Sequence, residues 1–320
     1  MTWIISHDVA EFLAAAGALL NSRPAEHTVL LTVAETLHRT GSAAFGQSAP
    51  PRFGWWRSED ETVRSAFLHT PPHPVLLTAT SQPAAASLAA MLADGPAVSG
   101  VNADPASAQA FAAAWSSRAG VTPRLRRRQR LYRVGQLVPA RPAPAGTARV
   151  ARADDRDLLL AWYEAFGREV GDVAGGLAGV VEDRIGYGGL TLWEVDNTPV
   201  ALAGRTRLVA GMVRVAPVYT PATLRRRGYG AAVTAAVSRA AQDAGADEIV
   251  LFTDLANPTS NALYQRLGFR PVNDSGWFTP SRRPKMGTGR RSRPRLGRGR
   301  ESPAQWRPSR RHPVEPSGSR

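Results

Sequence analysis

Hydrophobic positions along this chain alternate between helical and strand spacing, and they do so in the same order twice. Val9, Phe12, Leu13, Ala16, Leu19 and Leu20 recur at helical spacing behind Asp8, which with Glu11 three residues on reads as a helix start. Residues 26–39 give a second helix with Val29, Leu30, Val33 and Leu37 on one face. Short apolar runs at 53–56, 66–68 and 75–78, separated by turn residues, read as strands. Pro83 opens an alanine-rich helix through Leu92, and residues 98–101 read as a strand. Asp104 and Pro105 start another helix, with Ala108, Phe111, Ala112 and Trp115 on its buried stripe. A strand at 131–134 closes the series.

A proline-rich stretch at 139–144 interrupts the pattern, which then restarts. Strands are predicted at 148–151, 190–196, 199–208, 211–219, 248–253 and 269–272, the second and third forming a hairpin that turns at Asn197. Helices are predicted at 155–166, 174–185, 230–244 and 259–267. The repeated order predicts an α/β chain with a mixed sheet in each of two similar domains, 1–138 and 147–280, joined by a semi-rigid linker at 139–146. Beyond residue 272 the chain runs through Asn273 and Asp274 towards basic sequence, with Trp277 and Phe278 as a short remnant of a last strand or the fold truncated there.

The densest chemistry lies where the strand at 211–219 feeds Arg225, Arg226, Arg227, Gly228, Tyr229 and Gly230 and then a helix. A strand, a glycine turn and a helix start together aim backbone N–H groups and the positive end of the helix dipole at one spot. Glycine lets an anion approach the backbone, and three arginines make phosphate the natural guest. A Rossmann fingerprint fails because Val233 stands where the third glycine belongs, and no Walker Gly-Lys-Ser/Thr occurs. On these residues alone, a solvated turn with an ordinary glycine is an equal reading.

A second segment separates the two. Residues 257–269 read Asn-Pro-Thr-Ser-Asn-Ala-Leu-Tyr-Gln-Arg-Leu-Gly-Phe. Together the two segments resemble the GNAT superfamily of acyl-CoA-dependent N-acetyltransferases, whose pyrophosphate loop R/Q-x-x-G-x-G/A is matched by Arg225, Gly228 and Gly230, and whose later N-x-x-A/S-x-x-L-Y-x-x-x-G-F segment is matched from Asn257 to Phe269. The resemblance covers about residues 147–273. It implies tandem GNAT-like folds. The first copy is degenerate, because its corresponding loop, Thr80-Ser-Gln-Pro-Ala-Ala-Ala, has neither glycine nor arginine and is expected to bind no CoA.

The resemblance also implies roles. Arg225, Arg226, Arg227, Gly228, Tyr229 and Gly230 wrap the pyrophosphate of acetyl-CoA, the co-substrate. Val218, Tyr219 and Thr220 end a strand that splays from its neighbour and offers free backbone groups to the pantetheine arm and the thioester carbonyl. Asn257 caps its helix and touches the pantetheine or pyrophosphate arm, and Ser260 reaches a phosphate. Tyr264 protonates the departing thiolate. The family fixes no position for the general base. Asp254 is the nearest carboxylate, with Glu169 and Glu194 as others, Glu194 reading as an exposed surface charge.

Composition changes the picture in two places. With no cysteine, disulfides, thiolate metal sites and cysteine nucleophiles are excluded, which fits a cytoplasmic protein. The six histidines (7, 27, 38, 69, 73 and 312) show no metal-ligand spacing, so no metal is expected. The net charge of +14 is concentrated: residues 281–320 hold 13 Lys and Arg against 2 Asp and Glu, or +11, and their composition predicts a disordered basic tail. No apolar run reaches the ~18–20 residues that span a bilayer, and residues 1–22 lack the basic and small-residue features of a signal peptide. The expected activity is transfer of acetyl to a primary amine of a small molecule or protein by direct attack. Two alternatives stand beside it: an acyl-CoA-binding sensor or scaffold, and a nucleic-acid-associated protein using its tail non-specifically.

Overall fold

The computed structural model describes residues 1–41, 49–171 and 176–282. The first half runs β1 (Thr2–Ser6), α1 (Val9–Asn21), α2 (Thr28–Thr40), β2 (Arg52–Arg57), β3 (Val63–His69), β4 (Val75–Leu77), α3 (Gln82–Leu92), β5 (Val101–Ala103), α4 (Pro105–Ala119) and β6 (Val121–Val134). The second runs β7 (Thr147–Val150), α5 (Arg156–Val170), α6 (Leu177–Gly186), β8 (Leu190–Val195), β9 (Thr198–Arg205), β10 (Met212–Tyr219), α7 (Tyr229–Asp243), β11 (Glu248–Asp254), α8 (Pro258–Arg266) and β12 (Phe269–Arg282). Each half therefore repeats one mixed α/β order. The start expected for α6, at Ala174, and residues 283–320 of the basic tail lie outside the described residues.

The strands form one mixed sheet in the order β1-β2-β3-β4-β5-β12-β6-β11-β10-β9-β8-β7. The two halves exchange their last strands. β12 pairs with β5 of the first half at Gly276↔Ala103 through Phe278↔Val101, and β6 pairs with β11 of the second at Val250↔Arg133 through Asp254↔Gln129. β6 and β12 also pair with each other, from Phe269↔Val134 to Arg282↔Val121. The exchange couples the cores, because neighbouring residues of one strand face opposite ways. On β6, Leu131 joins the core under α1 and α2, while Tyr132 joins the core under α7 and α8.

The halves of a strand's alternation also sort the helices. Val233 and Val237 of α7 and Tyr264 of α8 pack on Val213, Val215, Ile249 and Leu251. Leu159 and Tyr163 of α5 and Val181 of α6 pack on Leu190, Leu192 and Leu202. Since Leu202 alternates with Ala201 and Ala203 of the α7 core, α5 and α6 cover the opposite face of the sheet from α7 and α8.

Several boundaries differ from the pattern reading. β1 was not legible, being five residues at the very start with no turn before them; Trp3 is buried and donates from Nε1 to the Ala84 carbonyl at 2.8 Å. β5 begins at Val101 rather than residue 98, and β6 begins at Val121 rather than residue 131. The arginine-rich stretch of β6 hid the strand, because its ladder is satisfied by β12 while most of its side chains stay in water. The last strand is neither truncated nor a remnant: β12 continues through Trp277 and Phe278 to Arg282, so residues 281 and 282 belong to the sheet. The stretch after β6 is fastened to the second half: Val138 donates to the Leu267 carbonyl at 3.0 Å, and Trp193 Nε1 to that of Ala145 at 2.9 Å. No helix among the described residues is long and apolar enough to cross a membrane.

Candidate functional site

β10 and β11 run parallel and pair only at Met212↔Glu248, Val213↔Ile249 and Arg214↔Val250. Beyond that point the strands part. β10 bulges between Val215 and Val218 while staying paired with β9, through Val218↔Ala203 and Tyr219↔Leu202. β11 stays paired with β6 on its other side out to Asp254. The facing edges of 215–219 and 251–254 therefore present backbone groups to an open V. This is the splay expected for Val218, Tyr219 and Thr220. Val218 packs in the α7 core and the Tyr219 ring lies 5.9 Å from that of Trp162.

One arm of the V leads into the glycine turn. Gly228 has φ of +87° and ends the turn as the N-cap of α7, and Arg226 precedes it at φ of +64°. No side chain among the described residues caps this helix, and its first intrahelical bond is Ala232 N–H to the Gly228 carbonyl at 3.0 Å. The N–H groups of Tyr229, Gly230 and Ala231 are thus left over, as the geometry of a helix start requires. A Cβ on Gly230 would sit 3.4 Å from Thr220 Oγ1, so the helix start lies against the end of β10. Arg226 and Arg227 are exposed and make no ion pair among the described residues. Three free donors, a helix dipole and two unpaired cations fit a diphosphate.

Arg225 behaves differently from its neighbours. Its Nη2 donates to both carboxylate oxygens of Glu169, at 2.6 and 2.7 Å, and its Nε to the Thr220 carbonyl at 2.8 Å. It pins the turn to α5 and to the end of β10. Glu169 is accordingly the counterion of that pin. Glu194 is not an exposed surface charge: it is half-buried and ion-paired with Arg149 Nε at 2.7 Å.

The other arm of the V carries the second motif. Asn257 is the N-cap of α8, its Oδ1 accepting from Ser260 N–H at 3.0 Å. Asp254 ends β11; its Oδ1 accepts from Ala256 N–H at 2.8 Å, and its Oδ2 lies 3.8 Å from Arg127 Nε. Tyr264 is 8% exposed in the α7–α8 core, 6.0 Å edge-on from Phe269. Its hydroxyl makes no hydrogen bond among the described residues, so it has no structural partner of its own. Burial pushes this phenol up to about 12, which keeps the proton on.

Residues that the pattern reading passed over hold the site together. Tyr132 of β6 donates to Asn261 Oδ1 at 2.9 Å, and Asn261 Nδ2 donates to the carbonyls of Asp254 and Asn257 at 2.9 and 2.7 Å. Arg127 of β6 donates to the Val170 carbonyl and Arg126 to that of Gly171, placing cations at the C-terminus of α5. Nothing in the sequence marks Tyr132 or Asn261, since each is an ordinary residue of an amphipathic element. Arg184 and Arg214 were passed over as well; for Arg214 a signal existed, because it places a charge inside the apolar run Met212-Val213-Arg214-Val215.

The first half lacks the counterpart. The N-terminus of α3 is capped by Ser81, whose Oγ accepts from Ala84 N–H at 3.4 Å, and it carries a proline in its first turn. No group of three or more His, Cys, Asp or Glu that could hold a metal ion occurs among the described residues.

The FR47-like protein family model matches residues 196–278. No curated protein matches the chain. Among solved structures, a Drosophila protein superposes with a TM-score of 0.62 at 15% identity, covering 86% of this chain and 96% of its own. A GCN5-related N-acetyltransferase from Sphaerobacter thermophilus superposes at 0.57 with 17% identity, over 88% and 96%. A GNAT-family acetyltransferase from Colwellia psychrerythraea gives 0.53 at 10% identity, over 87% and 100%.

Proposed function

Because the chain carries the tandem fold of the GCN5-related N-acetyltransferases, we propose that it transfers acetyl from acetyl-CoA to an amine, using one site in the second half. The observation that carries this is the V between β10 and β11, which opens beside the uncapped start of α7. The diphosphate lies on the N–H groups of residues 229–231, with Arg226 and Arg227 as counterions. Backbone groups of 215–219 hold the pantetheine arm and orient the thioester carbonyl, as fixed donors do for a developing oxyanion.

The amine nitrogen attacks the carbonyl carbon, the C–S bond breaks, and the amine proton passes to Asp254, directly or through water. Tyr264 faces the departing sulfur. Its pKa of about 12 stands well above that of an ordinary thiol, about 8.5, so full proton transfer to sulfur is uphill and the hydroxyl acts as a hydrogen-bond donor to the thiolate. Detection of free CoA across a panel of primary amines tests the reading. Saturable acetyl-CoA binding with no release of CoA by any amine supports a binding module instead.

A further inference from the structure

Two guanidinium groups lie at the crotch of the V with no carboxylate between them among the described residues. Arg214 is the last residue of β10 paired with β11, and it alternates with Val213 and Val215 of the α7 core. Its side chain therefore points to the α5–α6 face, opposite the diphosphate cradle. There its Nη1 is shut off from solvent and has no hydrogen-bond partner among the described residues. Arg184 of α6 comes to the same place. Its Nη1 donates to the Tyr163 hydroxyl at 3.0 Å and to the Ala216 carbonyl in the bulge of β10.

The surrounding groups do not neutralise this pair. Burial first, then the charge of Arg184, lowers Arg214 to about 10, so both groups remain cationic at neutral pH. The nearby hydroxyls are neutral: burial raises Tyr163 and Tyr187, and Tyr187 donates to the Arg205 carbonyl at 2.7 Å. The adjoining carboxylate, Asp183, is committed elsewhere, to Arg39 and Arg207 at 3.0 Å each. An unpaired buried cation is costly, and a planar guanidinium fits a carboxylate in a fork.

We infer that Arg184 and Arg214 form an anion subsite for the acceptor, which makes the acceptor an amine that also bears a carboxylate, such as an amino acid. This rests on the acetyltransferase reading and specifies its substrate class. With the diphosphate on the α7 face, an acceptor entering from the α5–α6 face would place its carboxylate on the two arginines and its amine in the V.

The test is a calorimetric titration of N-acetylglycine and of N-methylacetamide, which lacks the carboxylate, into the full chain with and without bound CoA. Charge-assisted hydrogen bonds predict that N-acetylglycine binds at least about tenfold more tightly, and that Arg214→Met removes the difference. Methionine keeps the length of the stem and deletes a buried charge, so folding is retained; Arg184→Met gives an independent second variant. Equal affinity for the two compounds, binding of neither, or discrimination that survives in both variants overturns the inference. Failure of the chain to bind acetyl-CoA refutes the acetyltransferase reading instead, while the comparison of the two compounds is still read on the CoA-free chain.

Discussion

Tyr132 and Asn261 belong to opposite halves of the sequence and are joined by a 2.9 Å hydrogen bond from the phenol to the amide oxygen. Gln265 Nε2 donates to the same phenol at 3.1 Å, and Asn261 passes the restraint on to the backbone of Asp254 and Asn257. A fully buried residue of the first half thus orients both the end of β11 and the start of α8. Tyr132→Phe should cost about 1 kcal/mol, the usual net worth of such a bond. Chemical denaturation reads the loss. Its absence would show that the cross-half tie holds nothing.

Tyr264→Phe should lower kcat by about 100-fold, the low end for general-acid groups, since the buried phenol donates a hydrogen bond rather than a whole proton. Acetyl-CoA affinity should change little, because the ring and its packing on Phe269 are kept. Steady-state kinetics with any active acceptor decides it. Full kcat in the variant would reduce Tyr264 to a packing residue.

The carboxylates should separate by their effects on kcat/KM. Asp254→Asn should lower it by about 100-fold or more, as expected for the loss of a base beside the V. Glu169→Gln should change it much less, because Glu169 is tied to Arg225 rather than to the reacting amine. The Arg225–Glu169 pair is 42% and 46% exposed, so its loss should cost less than about 1 kcal/mol of stability. A larger loss of kcat/KM in Glu169→Gln than in Asp254→Asn would reverse the assignment.

Much of the fold was legible because the apolar spacing of α1, α2, α7 and α8 reports their buried faces directly. The glycine turn was legible for a related reason: Gly228 occupies a left-handed conformation that side chains resist. The exchange of β6 and β12 was not legible. A strand's alternation says which face is buried and nothing about which neighbour supplies the ladder. For the same reason β12 read as a remnant, since residues 273–277 are polar or half-exposed and owe their strand to pairing with β6. Of the site, the donors around Gly228 could be read from residue types, whereas the diversion of Arg225 to Glu169 depends on where α5 ends.

Acid should destabilise the fold in a defined window. His69 is fully buried, its Nδ1 accepts from Arg52 Nη2 at 2.9 Å, and burial followed by the Arg52 charge lowers its pKa to about 4. The unfolded chain binds a proton near pH 6.5 that the folded chain refuses until about pH 4, so this stability is complete above 6.5 and is lost as pH falls between those values. The shift corresponds to about 3 kcal/mol. His27, also held below its ordinary value by burial, adds in the same direction. Thermal melts from pH 7 to 4 should show Tm falling across the window, and His69→Gln should flatten most of the slope. An unchanged slope in that variant would place the acid sensitivity elsewhere.

The claim that one acyl-CoA site lies between β10 and β11 is tested most directly by calorimetric titration of acetyl-CoA into the wild-type chain and Gly230→Val. Gly230 lies in the first turn of α7 without a left-handed φ, and an added Cβ meets only Thr220 Oγ1 within 4 Å, so the variant should fold while its isopropyl group covers the free N–H groups. One site per wild-type chain is expected, with binding reduced at least about tenfold in the variant, the equivalent of one charge-assisted hydrogen bond. Two equivalent sites, or undiminished affinity in folded Gly230→Val, would contradict it.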